Sequence, residues 1–224
     1  MKLLDLFCGA GGAAMGYHRA GFDEIIGVDL GHHPNYPYQQ IRADALGHTT
    51  RELVARFKPD LIHASPPCQA YSWASKRWNK EWPDLVEAAR ELLLSTGLPY
   101  IIENVVGAPL KSPIVLCGLS FGLGVLRHRI FESSVPMSEP AHTKHEKPGH
   151  QTGTRSTLQS KYITVAGQGG ESASYKLADW FDAMGVEQGT MTRKELTESI
   201  PPAYTEWLGR KAQAYLEAEP PPPH

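Results

Sequence analysis

The stretch Asp5-Leu-Phe-Cys-Gly-Ala-Gly-Gly12, DLFCGAGG, decides the fold prediction. A short apolar run over residues 2–7 leads into it and predicts a buried strand. A helical pattern over residues 13–20 follows it, with Gly21 placed to end the helix. A strand that turns through glycines into a helix is typical of α/β proteins that bind a nucleotide-like ligand.

Within this turn, Gly9, Gly11 and Ala14 form a Gly-x-Gly-x-x-Ala pattern, and Asp29 lies 20 residues after Gly9. Glycines allow a backbone to approach a ligand closely, and an acid at the end of the next strand can bind ribose hydroxyls. The pattern predicts a site for an adenosine-containing cofactor. From this loop alone, a nicotinamide site and a purely structural turn stay open as alternatives.

Strand and helix patterns alternate through the first 105 residues, which predicts βαβ units. We therefore expect an α/β fold with a mostly parallel, twisted sheet and helices on both faces. The predicted strands cover residues 2–7, 24–29, 41–44, 60–65 and 100–105, and the predicted helices cover residues 13–20, 50–57 and 84–95.

Beyond residue 105 the alternation weakens, and the chain divides into four predicted regions. They are a core over residues 1–135, a polar insertion over 136–176, C-terminal helices returning to the core over 177–216, and a disordered tail over 217–224. Their predicted elements are strands over 113–117, 129–133 and 161–166, helices over 177–184 and 201–216, and an N-cap at Thr192.

Composition narrows the class of protein. No apolar run reaches the roughly 18 residues of a membrane span, and the three cysteines form neither a CxxC nor an even set. We expect a cytoplasmic protein with no membrane partner. The net charge of −2 counts mildly against a nucleic-acid partner, but residues 72–82 and 142–161 are locally basic, and the first segment carries three tryptophans.

Chemically active residues follow the predicted strands. The fourth strand ends in SPPCQAYS, residues 65–72, and the fifth ends in Glu103-Asn-Val105. Because ligands bind outside the carboxyl ends of parallel strands, a thiol, a carboxylic acid and the glycine loop should meet at one edge of the sheet.

These three motifs, in this order and spacing, resemble those of the cytosine carbon-5 methyltransferase family over residues 3–131. The resemblance implies a Rossmann-like S-adenosylmethionine-dependent methyltransferase fold. It also implies that a methyl group passes from S-adenosylmethionine to carbon 5 of a cytosine in DNA. The target base would be flipped out of a duplex or lie in a single strand, since a stacked base is unreachable.

The resemblance implies four catalytic residues. Cys68 would add to carbon 6 of the cytosine as a nucleophile, and Glu103 would supply a proton or hydrogen bond at ring nitrogen N3. The segment VLRHRIFES, residues 125–133, resembles the family's Gln-x-Arg-x-Arg segment, with Val125 in place of the glutamine. By that match Arg129 would hydrogen-bond the cytosine O2, and Arg127 would order the active-site loop or contact phosphate.

The resemblance also implies cofactor contacts. Phe7 would pack on the adenine ring, Asp29 would bind the ribose, and Asp44 would bind the adenine amino group. The remaining candidate contacts are Cys8, Gly9, Gly11, Gly12, Leu30, Pro67 and Ser199. The side chains of Cys8 and Cys117 are expected to be small buried hydrophobes.

The chain departs from the family pattern near its end. The family's Asn-x-Val-Pro-Pro motif becomes Glu198-Ser-Ile-Pro-Pro202, and the recognition region before it is short, as in compact phage-type members. We expect DNA contacts on residues 142–161 and 167–170, and closure of the loop over residues 71–80 on DNA. His142, His145 and His150 match no standard metal spacing, so no metal is expected.

Several alternatives stay open from the sequence. A transfer RNA cytosine methyltransferase would use the same fold and chemistry on another substrate. A non-catalytic cofactor- or DNA-binding subunit would need a partner for specificity. A modified sulfonium donor and a nicotinamide-dependent enzyme are the other two. The target sequence, oligomeric state and biological role are not encoded in any recognisable pattern.

Overall fold

The computed structural model describes residues 1–71, 83–142, 162–163, 165 and 175–218. Four sequence predictions lie outside these residues: the closing loop after Tyr71, the basic segment after His142, the turn over residues 167–170, and the tail from residue 219. The division into four regions therefore stays a prediction.

The described residues form seven strands, six α-helices and one 3₁₀ turn over Gly118–Phe121. The strands are β1 (Lys2–Leu6), β2 (Glu24–Asp29), β3 (Gln39–Arg42), β4 (Leu61–Ala64), β5 (Tyr100–Asn104), β6 (Ile114–Leu116) and β7 (Arg129–Ser133). The helices are α1 (Gly12–Arg19), α2 (His48–Phe57), α3 (Val86–Thr96), α4 (Leu177–Met184), α5 (Arg193–Glu198) and α6 (Pro202–Ala218).

All seven strands join one sheet in the order β3-β2-β1-β4-β5-β7-β6. The first five are mutually parallel, which confirms the mostly parallel α/β prediction and brings their carboxyl ends to one edge. Strand β7 runs antiparallel to both its neighbours, β5 and β6. Its first residue therefore lies beside the last residues of β5, at the same edge.

Helices cover both faces of the sheet because successive strand residues point to opposite sides. Leu3 packs in a cluster with α1 and α6, whereas its neighbour Leu4 packs in a second cluster with α2 and α3. A third, smaller cluster forms around Trp180 of α4 and Leu196 of α5.

Helix α6 packs directly on α1, and two glycines make the approach possible. A Cβ added at Gly16 would lie 2.0 Å from the carbonyl oxygen of Pro202, and one at Gly209 would lie 2.7 Å from the Cβ of Ala20. Thr205 of α6 also donates its hydroxyl to the carbonyl of Ala13 at 2.8 Å. The last helix is thereby fixed behind the glycine loop.

Some predicted boundaries were wrong. Helix α2 begins at His48, not at residue 50, and its N-cap is Gly47 rather than Thr49 or Thr50, the residue types that usually cap a helix. Strand β3 ends at Arg42 because its register follows β2, which leaves Asp44 in the next turn. Thr192 is confirmed as an N-cap and forms a capping box with Glu195.

The predicted strand over residues 161–166 is only partly described. Its Ile163 forms a bridge with Val125 and donates its amide to the carbonyl of Gly124 at 2.8 Å. No helix in the described part of the chain is long and apolar enough to cross a membrane.

Candidate active site

The glycine loop turns sharply after β1. Three of its residues have positive φ: Phe7 at 57°, Gly9 at 48° and Gly11 at 90°. Glycine adopts a positive φ without strain, so Gly9 and Gly11 suit this path, whereas the same conformation is strained at Phe7. A Cβ added at Gly9 would meet no atom within 4 Å, so the loop backbone faces open space there.

Asp29 fixes this loop from the end of β2. Its carboxylate accepts from the amide of Gly9 at 3.1 Å and from the amide of Gly31 at 2.7 Å, and it lies 3.3 Å from His33 Nε2. The next residue, Leu30, is 67% exposed, which is unusual for a large apolar side chain. An apolar surface and a carboxylate therefore stand together at the edge of the sheet.

The segment between α5 and α6 closes on the start of α1. A Cβ at Gly12 would lie 1.8 Å from Ser199 Oγ and 2.7 Å from the carbonyl oxygen of Ile200. Ser199 thus adjoins the glycine loop, and its predicted contact with the cofactor stays a prediction. Glu198, which replaces the family's asparagine, is exposed and lies 3.9 Å from Lys194 Nζ.

The side chains of two predicted cofactor-binding residues, Cys8 and Asp44, form hydrogen bonds within the protein. Cys8 is buried, and its sulfur accepts a long hydrogen bond of 3.8 Å from the Gln40 side chain. Asp44 is exposed in a turn where one carboxylate oxygen accepts from the amide of Leu46 at 3.0 Å. The side chain of Cys8 therefore has the structural role expected of it, and any ligand contact from that residue would come from its backbone.

Cys68 lies in the turn that follows β4. The buried side-chain amide of Asn104 donates to the carbonyl of Pro66 at 2.9 Å, and the amide of Tyr71 donates to the carbonyl of Cys68 at 3.0 Å. Cys68 and Pro67 are partly exposed, whereas Cys8 and Cys117 are buried. Asn104 thus helps to hold the turn that carries Cys68. This role was not predicted from the sequence, although Asn104 stands in the Glu-Asn-Val motif.

Glu103 and Arg129 form an ion pair. Arg129 Nε lies 3.0 Å from Glu103 Oε1, and both side chains are largely buried. The antiparallel β7 creates this contact, because Glu103 is paired with Phe131, two residues from Arg129. Burial raises the pKa of Glu103, and Arg129, Arg127 and Ser65 only partly oppose that rise.

The same charges act on the thiol of Cys68. Burial raises its pKa, Arg129 lowers it, and Glu103 raises it again. The resting group is therefore a thiol whose ionisation Arg129 assists. These electrostatic interactions join Cys68 to Glu103, the thiol and the carboxylic acid that the sequence predicted to meet, and add Arg129 to them.

A chain of hydrogen bonds reaches Glu103 from the interior. The Tyr17 hydroxyl lies 3.0 Å from His63 Nδ1, and His63 Nε2 lies 2.8 Å from Ser65 Oγ. Ser65 in turn hydrogen-bonds Glu103. Burial lowers the pKa of His63 to about 3, so the ring is neutral.

The bond between Ser65 and Glu103 sets the direction of the other two. An ionised Glu103 can only accept, so Ser65 donates to it and accepts from His63 Nε2–H. His63 Nδ1 is then left to accept from the Tyr17 hydroxyl. This series of hydrogen bonds was not predicted from the sequence. The one feature that could have indicated it is a histidine within the otherwise apolar β4.

Arg127 is buried and does not face solvent. Its two terminal nitrogens donate to the carbonyls of Val165 and Thr197, each at 2.7 Å. Burial and, to a lesser extent, Arg129 lower its pKa to about 9, which leaves the side chain charged at neutral pH. These bonds hold two segments of the chain that are far apart in sequence, and the roles expected for Arg127, ordering of the active-site loop or phosphate contact, stay predictions.

The known proteins that this chain resembles are methyltransferases. A family model for C-5 cytosine-specific DNA methylases matches residues 1–107. The Type II methyltransferase M1.HphI of Haemophilus parahaemolyticus is 27% identical over 68% of this chain and 52% of its own length. M.HgiGI of Herpetosiphon aurantiacus is 37% identical over 34% of this chain and 67% of its own length.

The chain spans about half the length of the first curated relatives it matches. Two solved structures share the fold over nearly the whole chain. A prophage-encoded E. coli protein described as a DNA modification methyltransferase has a TM-score of 0.69, with 13% identity over 97% of this chain and 99% of its own. The S. pombe Dnmt2 methyltransferase has a TM-score of 0.59, with 12% identity over 97% and 99%.

Proposed function

We propose a function from the premise that this chain belongs to the family of C-5 cytosine-specific DNA methylases. It transfers a methyl group from S-adenosylmethionine to carbon 5 of a cytosine in DNA. The observation that carries this proposal is the cluster of Cys68, Glu103 and Arg129 at the carboxyl edge of the sheet, beside the glycine loop.

The residues at the glycine loop fit S-adenosylmethionine, which supplies an electrophilic methyl group when bound. The open space beside Gly9 suits close backbone approach to the methionine part. Phe7 and the exposed Leu30 offer apolar surface to the adenine, and Asp29 offers carboxylate oxygens to the ribose. Gly11, Gly12, Pro67 and Ser199 complete the proposed site, and Asp44 keeps one carboxylate oxygen for the adenine amino group.

Cys68 is the proposed nucleophile. Its sulfur forms a bond to carbon 6 of the cytosine, which makes carbon 5 electron-rich enough to accept a methyl group. Water then takes the carbon-5 proton, the bond to sulfur breaks as the double bond between carbons 5 and 6 re-forms, the sulfur leaves as a thiolate, and N3 returns its proton to Glu103. Arg129 lowers the pKa of the thiol and so favours the thiolate that this addition requires.

Glu103 is the proposed partner of cytosine N3. Because burial raises its pKa, the carboxyl group can hold a proton and deliver it to N3 as carbon 6 is attacked. Arg129 lies beside it with a fixed fork of donors suited to the cytosine O2. Ser65 stabilises the carboxylate that remains after proton transfer.

The target cytosine must leave the base stack to reach Cys68, so the substrate is a flipped or single-stranded base. We propose that residues 142–161, of which the structure describes only His142, contribute contacts to DNA. A further partner could supply sequence specificity, because the region before Glu198 is short.

The test supplies labelled S-adenosylmethionine with unmethylated duplex DNA, single-stranded DNA and RNA. We expect label in DNA at carbon 5 of cytosine, and a covalent adduct with DNA that contains 5-fluorocytosine. A non-catalytic subunit would form no adduct. Label in RNA alone would replace the DNA proposal with the transfer RNA alternative.

Two variants separate the roles of the site residues. Cys68→Ser should abolish transfer and adduct formation while it still binds S-adenosylmethionine. Glu103→Gln should slow transfer by roughly 10²–10⁴-fold, yet speed alkylation of Cys68 by iodoacetamide, because Glu103 raises the pKa of that thiol. Near-normal transfer by either variant would contradict the role assigned to that residue.

A further inference from the structure

Three potential metal ligands converge outside the proposed active site. Cys117 follows β6, His128 immediately precedes β7, and His142 lies nine residues beyond the end of that strand. Their ligand atoms, one sulfur and two imidazole nitrogens, all lie within 4.8 Å of one another. Cys117 is fully buried, His128 is half-buried and His142 is exposed, so the cluster opens toward solvent on one side.

The distance between the two imidazole nitrogens matches what a zinc ion requires. His128 Nε2 and His142 Nε2 are 3.4 Å apart. Two nitrogens bound at about 2.0–2.1 Å to a tetrahedral zinc ion are separated by about 3.4 Å. A thiolate sulfur at about 2.3 Å from the same ion would lie about 3.6 Å from each nitrogen. The Cys117 sulfur lies within 4.8 Å of both nitrogens, so a side-chain rotation that moves it about 1 Å toward them brings it to bonding distance.

We propose that Cys117, His128 and His142 bind one Zn²⁺ ion. A thiolate with two imidazoles is a ligand set that zinc favours over magnesium or calcium, which prefer oxygen. Three protein ligands leave one tetrahedral position for water or another ligand. None of the three ligands is one of the proposed methyl-transfer residues, so the site does not depend on the proposed function.

Such an ion would hold three chain segments together at the edge of the sheet. It would join the turn after β6 to the start of β7 and to the start of the basic segment. His128 links it to the active site, because the backbone carbonyl of His128 accepts from Arg129 Nη1 at 2.9 Å. An ion that fixes His128 would thereby also fix the peptide that orients Arg129.

This site could not be predicted from the sequence. The three ligands are spaced by 11 and 14 residues, and the expectation of no metal rested on the spacing of His142, His145 and His150. Only the antiparallel pairing of β6 with β7, which sets Leu116 opposite Arg129, brings Cys117 and His128 together.

Metal content of the full chain, purified without a histidine tag or chelator, tests the proposal. We expect one zinc per chain by mass spectrometry, and a thiolate-to-metal charge-transfer band when Co²⁺ replaces zinc. Cys117→Ser should lose that band, and His142→Ala should weaken zinc affinity by at least about 100-fold, since even indirect changes cost 10–100-fold. Removal of the ion by a chelator should lower the melting temperature.

Matched variants serve as controls. Cys68→Ser removes a cysteine outside the cluster, and His48→Ala removes an exposed histidine that interacts with Glu52 on α2. Both should keep the zinc. Wild-type protein that holds no zinc above the buffer background after incubation with the ion would overturn the proposal. So would equal zinc content in His142→Ala and His48→Ala, a comparison that stays valid if Cys117→Ser does not fold.

Discussion

The substitution Glu132→Gln tests what holds β7 in the sheet. Glu132 and Arg90 of α3 form a buried ion pair, with side chains 5% and 1% exposed. Arg90 donates to the carboxylate through Nε at 2.8 and 3.1 Å and through Nη2 at 2.8 Å. The amide of Lys111 adds a bond of 2.8 Å to the same carboxylate. A glutamine keeps the shape of the side chain but leaves the guanidinium without its buried countercharge, so that only the exposed Glu87 remains beside it.

Removal of one partner from such a pair costs about 3–5 kcal/mol of unfolding free energy. The same arginine also pairs with Glu87, whose side chain is 60% exposed. Because water screens that second pair, Glu87→Gln should cost less than about 1 kcal/mol. Each variant removes one negative charge beside Arg90. The difference between their losses of unfolding free energy therefore measures the effect of burial.

Urea unfolding followed by circular dichroism provides the measurement. Glu132→Gln should lower the midpoint by roughly 1–2 M, and Glu87→Gln should leave it almost unchanged. Burial raises the pKa of Glu132, but the bonds from Arg90 outweigh it and the net pKa is lowered from 4.5. The stabilisation is therefore present above that pH and is lost in acid, where the two variants should converge. Equal midpoints at neutral pH would refute the reasoning.

Two further predictions concern the site itself. Arg129→Met should slow alkylation of Cys68 and move its pH dependence to more alkaline values, since Arg129 lowers the pKa of that thiol; an unchanged pH profile would show that the cation does not act on Cys68. Gly12→Ala should weaken S-adenosylmethionine binding in calorimetry and cost roughly 1–3 kcal/mol of stability, because the new Cβ overlaps Ser199 Oγ. The double variant that also carries Ser199→Gly should recover part of the binding and part of the stability. Full activity of Gly12→Ala alone would contradict the packing described.

Much of the fold could be predicted because its signals are local. Apolar runs that end in glycine or proline identified β1 and β4, and their carboxyl ends carry the glycine loop and Cys68. Parallel strands share one edge, so the meeting of these motifs follows from chain order alone. Boundaries set by tertiary contacts were less predictable. Helix α2 begins at His48, two residues before the predicted start, and Thr50 lies buried inside it with its hydroxyl bonded to the carbonyl of Asp44.

The placement of β7 could not be derived from local pattern. Its sequence predicts a strand, but nothing in it specifies insertion between β5 and β6 in the antiparallel direction. That direction brings Arg129 to Glu103. It also turns Glu132 toward Arg90, a partner 42 residues earlier in the chain.

The alternation of strand residues explains how β7 serves both faces. His63 and Glu103 point to the same side of the sheet as Phe131, the side on which Tyr17 of α1 packs. Glu132 is paired with Ile102 and points to the other side, toward α3. A shift of β7 by one residue would therefore remove Arg129 from Glu103 and bury Arg90 without a countercharge. The structural ion pair on one face thus fixes the register that the active-site ion pair on the other face requires.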